Sequence, residues 1–443
     1  MSKLNCFRDF AKYSSLNVLG MIGLSCYILA DTFFVSLGLG TNGLTALNLA
    51  IPVYNFIHGS GLMIGMGGGI KYSIQKSQNE SENANRIFTH SLCLAAGFAV
   101  FFVLLGLFLS GTITSLLGAD ENVFDMSKTY LQVILLFAPA FLLNNVLLCF
   151  VRNDGAPQLS MAAMIGGSLS NIVLDWVFIF PCKMGIFGAV FATGLAPIIS
   201  ILILSPYFIK KKNKFHLTRC KLKLRLLADI LSGGIPSLIT EVSSGIVMIV
   251  FNTIILGLQG NVGVAAYGVI ANLSLVVVAI YTGISQGIQP LISRNYGKGN
   301  FTNIQSILRY ALITMLIFSA LIYSVVFFGT SQIVTIFNSE NNALLQSIAI
   351  EGLRLYFIAC PFVGFNIIIS VYFTSTEYAI PAHIISILRG FVLIIPMAFL
   401  LSAAAKLFGV WLAFPSTELL VAAIAAVFYF IYRQRQKNKV LAK

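Results

Sequence analysis

Apolar runs of about twenty residues or more recur twelve times along this chain, and no other feature restricts its fold as tightly. Coiled as a helix, a run of that length matches the roughly 30 Å hydrocarbon layer of a bilayer. No water inside that layer can bond the backbone, so only helices and closed barrels cross it. A barrel strand needs about 9–11 residues of alternating polarity, whereas these runs are longer and apolar throughout, so helices are expected. The spans fall at about 14–38, 44–73, 88–112, 126–152, 159–181, 185–209, 228–258, 264–293, 305–329, 346–374, 379–402 and 407–432. With 58% hydrophobic and 10% charged residues in 443, and a mean hydropathy of +0.89, no stretch remains for a soluble domain.

The formal net charge of +13 would suit a nucleic-acid partner, but the basic residues lie in short segments between apolar runs. Twelve is even, so both termini share one side, and Lys and Arg decide which. Loops after even-numbered spans carry Lys71, Lys76 and Arg86, then Arg152, then the cluster from Lys210 to Arg225, then Arg294 and Lys298, then the tail from Arg433 to Lys443. The opposite loops are short and hold Asp120, Glu121, Asp125 and Glu340, with Lys183 and Lys406 as the clearest basic members. Termini and basic loops are therefore expected in the cytoplasm, and no nucleic acid is implied. Seven scattered cysteines, with no CxxC, argue against a disulfide framework or a metal motif. Lys3, Arg8 and Lys12 precede the first apolar run, which reads as an uncleaved span.

The basic linker Lys210–Arg225 falls near the midpoint and reads as a solvated connector facing anionic lipid. It divides the chain into a lobe of six spans over 1–209, a linker over 210–227, a second lobe over 228–432 and a tail over 433–443. A shift of 220 residues superposes Gly40, Gly43, Ala46, Gly67 and Ser73 on Gly260, Gly263, Ala266, Gly287 and Ser293. A shift of 221 superposes Asn145, Phe187, Gly188 and Ala192 on Asn366, Phe408, Gly409 and Ala413. Together these matches indicate a duplicated unit. Because each unit has an even number of spans, the repeats run parallel, with any substrate site between them.

Charged groups inside the spans are few. Asp175 lies at the centre of the fifth, where a carboxylate costs roughly 2.5–3.5 kcal/mol to insert, so it marks a functional site by default. Asn171 precedes it by one turn and shares its face, adding an amide suited to a proton or small cation. Bonding to a neighbouring helix is the bland alternative. Asp31 lies late in the first span with Tyr27 one turn before it. Two carboxylates facing one cavity repel unless a proton or cation sits between them. In the duplicated register Asn171, Asp175 and Asp31 fall opposite Val392, Pro396 and Phe251, and this asymmetry favours function over packing. Glu241, on the first span of the second half, is either a site of its own or a partner for Arg389. Glu351 and Arg354 are spaced for a local ion pair, and Glu418 is read in the same way. His58 and His90 read as hydrogen-bonded packing residues or proton relays. Gly65-Met-Gly-Gly-Gly69 follows no strand, so close helix contact or a break explains it better than a nucleotide loop. The sequon at Asn79 lies in a loop expected to be cytoplasmic, and so unused.

Five stretches carry a family likeness: Tyr27-Ile-Leu-Ala-Asp31-Thr-Phe-Phe-Val, Arg152-Asn-Asp-Gly-Ala-Pro157, Asn171-Ile-Val-Leu-Asp175-Trp-Val-Phe-Ile-Phe, Gly188-Ala-Val-Phe-Ala-Thr193 and Gly283-Ile-Ser-Gln-Gly-Ile-Gln-Pro290. In this order, on twelve spans, they resemble the MATE (multidrug and toxic compound extrusion) transporters. The resemblance implies an all-α, V-shaped pair of six-helix bundles that exchanges Na+ or H+ for organic, often cationic, compounds. It implies that the coupling cation is held by Asp31, Asn171, Asp175 and Thr193, with Tyr27 and Asn145 as polar neighbours and Glu241 as an acidic site in the second lobe. Such members usually carry a proline about fifteen residues before the first-span Asp. Leu16 stands there, so bending of the first helix through a missing backbone bond is not expected.

The resulting expectation is an antiporter of the bacterial inner membrane that acts as a monomer among lipids, needs no cofactor beyond the coupling ion, and exports amphiphilic or cationic drugs. The rival of related architecture is a flippase for lipid-linked oligosaccharides, which would favour a cationic cavity for pyrophosphate. An embedded enzyme would need a motif such as HExxH or a GxSxG nucleophile elbow; no HExxH occurs, and the Gly283-Ile-Ser-Gln-Gly287 spacing lies inside an apolar span and not at a strand-to-helix turn.

Overall fold

A computed structural model describes the backbone of residues 3–338 and 342–441 and the side chains of 5–338 and 342–436; Glu340 and the tail side chains beyond Gln436 lie outside the described residues. Every element among the described residues is helical. The α-helices are α1 (Lys3–Ser77), α2 (Ser81–Phe108), α3 (Ser110–Leu116), α4 (Phe124–Leu136), α5 (Ala138–Asn153), α6 (Pro157–Ile179), α7 (Gly185–Ile209), α8 (Leu224–Gly297), α9 (Phe301–Phe337), α10 (Ala343–Tyr356), α11 (Cys360–Ser375), α12 (Ala379–Ile387) and α13 (Ile394–Leu441). A 3₁₀ turn over Phe357–Ala359 joins α10 to α11, and a π-helical turn over Leu388–Val392 joins α12 to α13.

The longest helices double back. Tyr27 and Tyr54, both on α1, meet at 2.6 Å between hydroxyls, although 27 positions of straight helix would part them by roughly 40 Å. The reversal is at Gly40 (φ 65, ψ −159). In α8 the rings of Phe251 and Tyr267 stack at 5.5 Å, across Gly260 (φ 63, ψ −157). Those angles lie in a region open essentially to glycine alone, so any side chain at position 40 or 260 would strain the corner. In α13 the corner is Ala405–Lys406. Among the described residues, eight helical stretches are long and apolar enough to span a membrane, three of them through such corners, and α4 with α5 makes one more span bent by 46°. Twelve crossings result, as the apolar runs require.

The duplicated register has a backbone counterpart. Gly40 and Gly260 adopt the same conformation, Asn79 (φ 65) matches Gly299 (φ 68), and Gly185 (φ 61) matches Lys406 (φ 51). Two apolar cores form, one from residues between Val35 and Ile230 and one from residues between Phe251 and Tyr432. The start of α1 does not follow its own half: Cys6, Phe10, Tyr13 and Val18 pack into the second core.

The lobes meet along α1 and α8. Gly67 faces the Ile230 carbonyl and Gly234 faces the Met63 carbonyl so closely that a Cβ at either position would overlap backbone. Close helix contact therefore explains the glycine run, since small residues let backbones approach. Polar pairs join the lobes at the end that bears the termini: Asp9 accepts from Arg294 at 3.1 Å, Lys71 donates to Glu377 at 2.6 Å, and Asn153 and Gln289 exchange two amide hydrogen bonds of 3.0 Å.

The linker is more firmly held than a solvated connector. Lys210, Lys211, Lys212 and Lys214 are exposed. Phe215, however, is fully buried among Tyr72, Phe88, Phe150 and Phe208. Linker backbone N–H groups of Lys214, His216, Thr218 and Lys223 donate to Asp154, Asn85, Thr89 and His90 at 2.8–3.1 Å. His90 accepts through Nε2 while its Nδ1 meets the Arg86 carbonyl at 2.7 Å, which makes it a docking residue.

Candidate functional site

The first lobe gathers four helices around two acids. Asp31 comes from the first arm of α1, Asn171 and Asp175 from α6, Thr193 from α7 and Tyr130 from α4, and all five are buried. Asn171 and Asp175 are one turn apart on the buried stripe of α6, while Val173 and Trp176 on its opposite side are exposed at the surface that faces lipid. The Asp31 and Asp175 carboxyls approach within hydrogen-bonding range of each other. One oxygen of each, Oδ1, has no donor among the described residues. At about 4 Å and an effective dielectric of about 20, two such charges repel by about 4 kcal/mol, so the pair requires a shared proton or a bridging cation.

Asn171 takes a different part from the one its spacing implied. In the amide orientation that satisfies both ends, its Nδ2 donates to Asp175 Oδ2 at 3.0 Å and its Oδ1 accepts from the Thr193 backbone N–H at 3.2 Å. The amide thus aims N–H at the carboxylate and holds it in place, while its oxygen is occupied. Thr193 donates its hydroxyl to the Ala189 carbonyl at 3.1 Å and is reached by the Tyr130 hydroxyl.

A cavity of about 70 Å³ runs beside this cluster, between the two arms of α1 and α5, α6 and α7. Tyr27 lines it and is hydrogen-bonded to Tyr54, which stacks on His58 at 5.8 Å. Asn145 lies in this cavity as a neighbour of His58, with its Nδ2 3.2 Å from Nδ1 and 3.3 Å from the backbone oxygen. Neither Tyr54 nor Tyr130 was marked by its sequence context; only the Tyr54/His58 spacing on one helical face hinted at the first.

Three other expectations change. Arg152, read from its loop as a solvated topology charge, is 1% exposed. Its Nη1 donates to Asn17 Oδ1 at 2.8 Å and to Gln286 Oε1 at 2.7 Å, bridging the lobes. Arg389 pairs with Glu418, donating through Nε at 3.1 Å and Nη2 at 2.9 Å, and leaves Glu241 aside. Glu241 sits half-buried against Gly59 at the seam and makes no side-chain hydrogen bond or ion pair among the described residues. Arg354 ignores Glu351; it lies 5.1 Å over the Phe327 ring and donates to Thr330 at 3.4 Å. Around Leu16 the α1 helix is unbroken, and Asn17 donates to the Tyr13 carbonyl at 2.7 Å.

Comparison with known proteins agrees with this architecture. The family model MatE matches residues 18–177 and 236–400, one segment in each lobe. The multidrug export protein MepA of Staphylococcus saprophyticus is 25% identical over 435 residues, covering 98% of this chain and 95% of that protein. Its namesake in Staphylococcus aureus is 24% identical over 431 residues, covering 97% and 94%. Among solved structures, a MATE in complex with MaL6 superposes with a TM-score of 0.92 at 24% identity over 97% of each chain. An outward-facing multidrug resistance MATE transporter of the MOP superfamily gives 0.90 at 24% identity over 99% of each. With both of its halves matched, this twelve-helix integral membrane protein belongs to the MATE family of transporters.

Proposed function

We propose that this protein exports organic, chiefly cationic or amphiphilic, compounds from the cytoplasm across the inner membrane in exchange for Na+ or H+. The observation that carries the reading is the Asp31–Asp175 contact: two buried carboxyls with a donorless oxygen each, in a lobe that keeps a chiefly apolar cavity with a few polar groups beside them. Asp31 and Asp175 hold the cation or proton, Thr193 and Tyr130 offer hydroxyl oxygens, and Asn171 positions Asp175. The names of the MepA relatives support drugs as the exported class. They also weigh against the flippase rival.

The lobes are joined at the end bearing the termini, which the distribution of Lys and Arg assigns to the cytoplasm. This supports reading the arrangement as the outward-facing state, in which substrate leaves and the cation arrives from outside. Cation on the acids and drug between the lobes must disfavour each other, because exchange needs a differential affinity. Reconstituted vesicles with a sodium gradient or a pH gradient imposed separately test the reading by export of a fluorescent organic cation. One gradient should drive export and collapse of that gradient should stop it; export indifferent to both would overturn the proposal.

A further inference from the structure

The duplicated register sets Asn145, Ser168 and Pro197 of the first lobe against Asn366, Arg389 and Glu418 of the second. In the second lobe these three lock together, Arg389 bidentate on Glu418 Oε1 and Asn366 donating to Oε2 at 2.7 Å. In the first lobe all three line the 70 Å³ cavity. Interiors are close-packed, so a space retained in one copy of a duplicated unit and filled in the other calls for a physical reason. Its lining along α5 extends from Phe141 to Arg152, about 16 Å of helix. Tyr27, one turn from Asp31, borders one end, and Arg152 with Gln286 borders the other. Asn144 Oδ1, Ser200 Oγ and Arg152 Nε are buried in its wall without protein partners, which suits a space holding several waters. A space with room for water therefore leads from Tyr27, one turn from Asp31, to the closed seam at the terminal end.

At that seam stands a charge without a counter-ion. Arg152 has no carboxylate partner among the described residues; its Nη2 faces the sulfurs of Met66 and Cys149 at 3.4 Å. A guanidinium stays ionised in proteins, and burying one unpaired is costly. Packing does not demand it, for the equivalent position in the second lobe is Phe373, which is fully buried. Resting on the proposed function, we propose that Arg152 is an electrostatic stop: its fixed positive charge prevents the cation held at Asp31 and Asp175 from leaking along the wet cavity to the cytoplasm while the lobes are closed. A single basic group can exclude cations from a water-filled pore in this way.

The full-length protein in sealed vesicles, assayed for ²²Na+ and proton flux without drug, tests it. Arg152→Gln should raise drug-free cation flux about tenfold or more, and Arg152→Lys should hold it at the parental level. Gln286→Glu keeps the arginine but supplies the missing counter-ion 2.7 Å away, so it should leak as Arg152→Gln does, with a fold that needs no new void. Adding Asp175→Asn to either leaky variant should return the flux to background, because the cation that leaks is the one held there. Tight vesicles with Gln286→Glu, or equal leakage from the Lys and Gln variants, would overturn the stop. Parental protein that exchanges drug against neither gradient would overturn the proposed function instead, whatever the leak.

Discussion

Replacing Asp175 by Asn removes one charge from the buried pair while keeping its shape and its bond to Asn171. A cation between two carboxylates gains a charge-assisted contact from each, worth about 1.5–3 kcal/mol net. Losing one should weaken cation binding roughly ten- to hundredfold, at 1.4 kcal/mol per decade. Binding to the folded state alone stabilises it by RT ln(1 + [L]/Kd), about 2.7 kcal/mol at a hundred times Kd and about 0.4 kcal/mol at Kd. Detergent-purified parental protein should therefore melt higher as the coupling cation is added, and the variant should barely respond. Without cation the parental pair must take up a shared proton to escape a repulsion of about 4 kcal/mol between two ionised groups, and the variant need not. It should melt no lower than its parent there, while drug export driven by the cation gradient falls to background. A variant that inserts normally and keeps both the full cation-dependent shift in melting and parental export would refute the assignment of this pair.

Two further outcomes follow from the packing. Glu418→Gln leaves Arg389, whose side chain is only 12% exposed, without its anion, which should cost about 3–5 kcal/mol; a melting temperature within a degree or two of the parent would show that water reaches the pair. Phe215→Ala empties a fully buried aromatic site under the linker, a loss of about 3–5 kcal/mol of local packing; trypsin should then cut at Lys210–Lys214 much faster, and unchanged cleavage would mean that the backbone bonds to Asn85, Thr89 and Asp154 hold the linker alone.

Much of this molecule was legible in transfer free energy. Apolar runs marked twelve crossings because each residue's preference for lipid is a local property that adds along a helix. The same arithmetic singled out Asp31 and Asp175, since a carboxylate in a span stands out wherever its helix goes. Glycine matches at a fixed shift indicated the duplication, and the structure gives one of the matched pairs, Gly40 and Gly260, the same corner conformation. Partnership was not legible. The meeting of Asp31 and Asp175 was implied by the family resemblance alone; that Tyr130 reaches Thr193 and that Arg389 chooses Glu418 over Glu241 depend on which helix faces which, a choice made by packing six helices at once. Arg152 shows the difference most clearly: a loop-like charge by sequence, it is enclosed because α1 and α8 close over the end of α5. Hydropathy assigns each segment to lipid or water, whereas the geometry that brings distant segments together is fixed only when both lobes have formed and met.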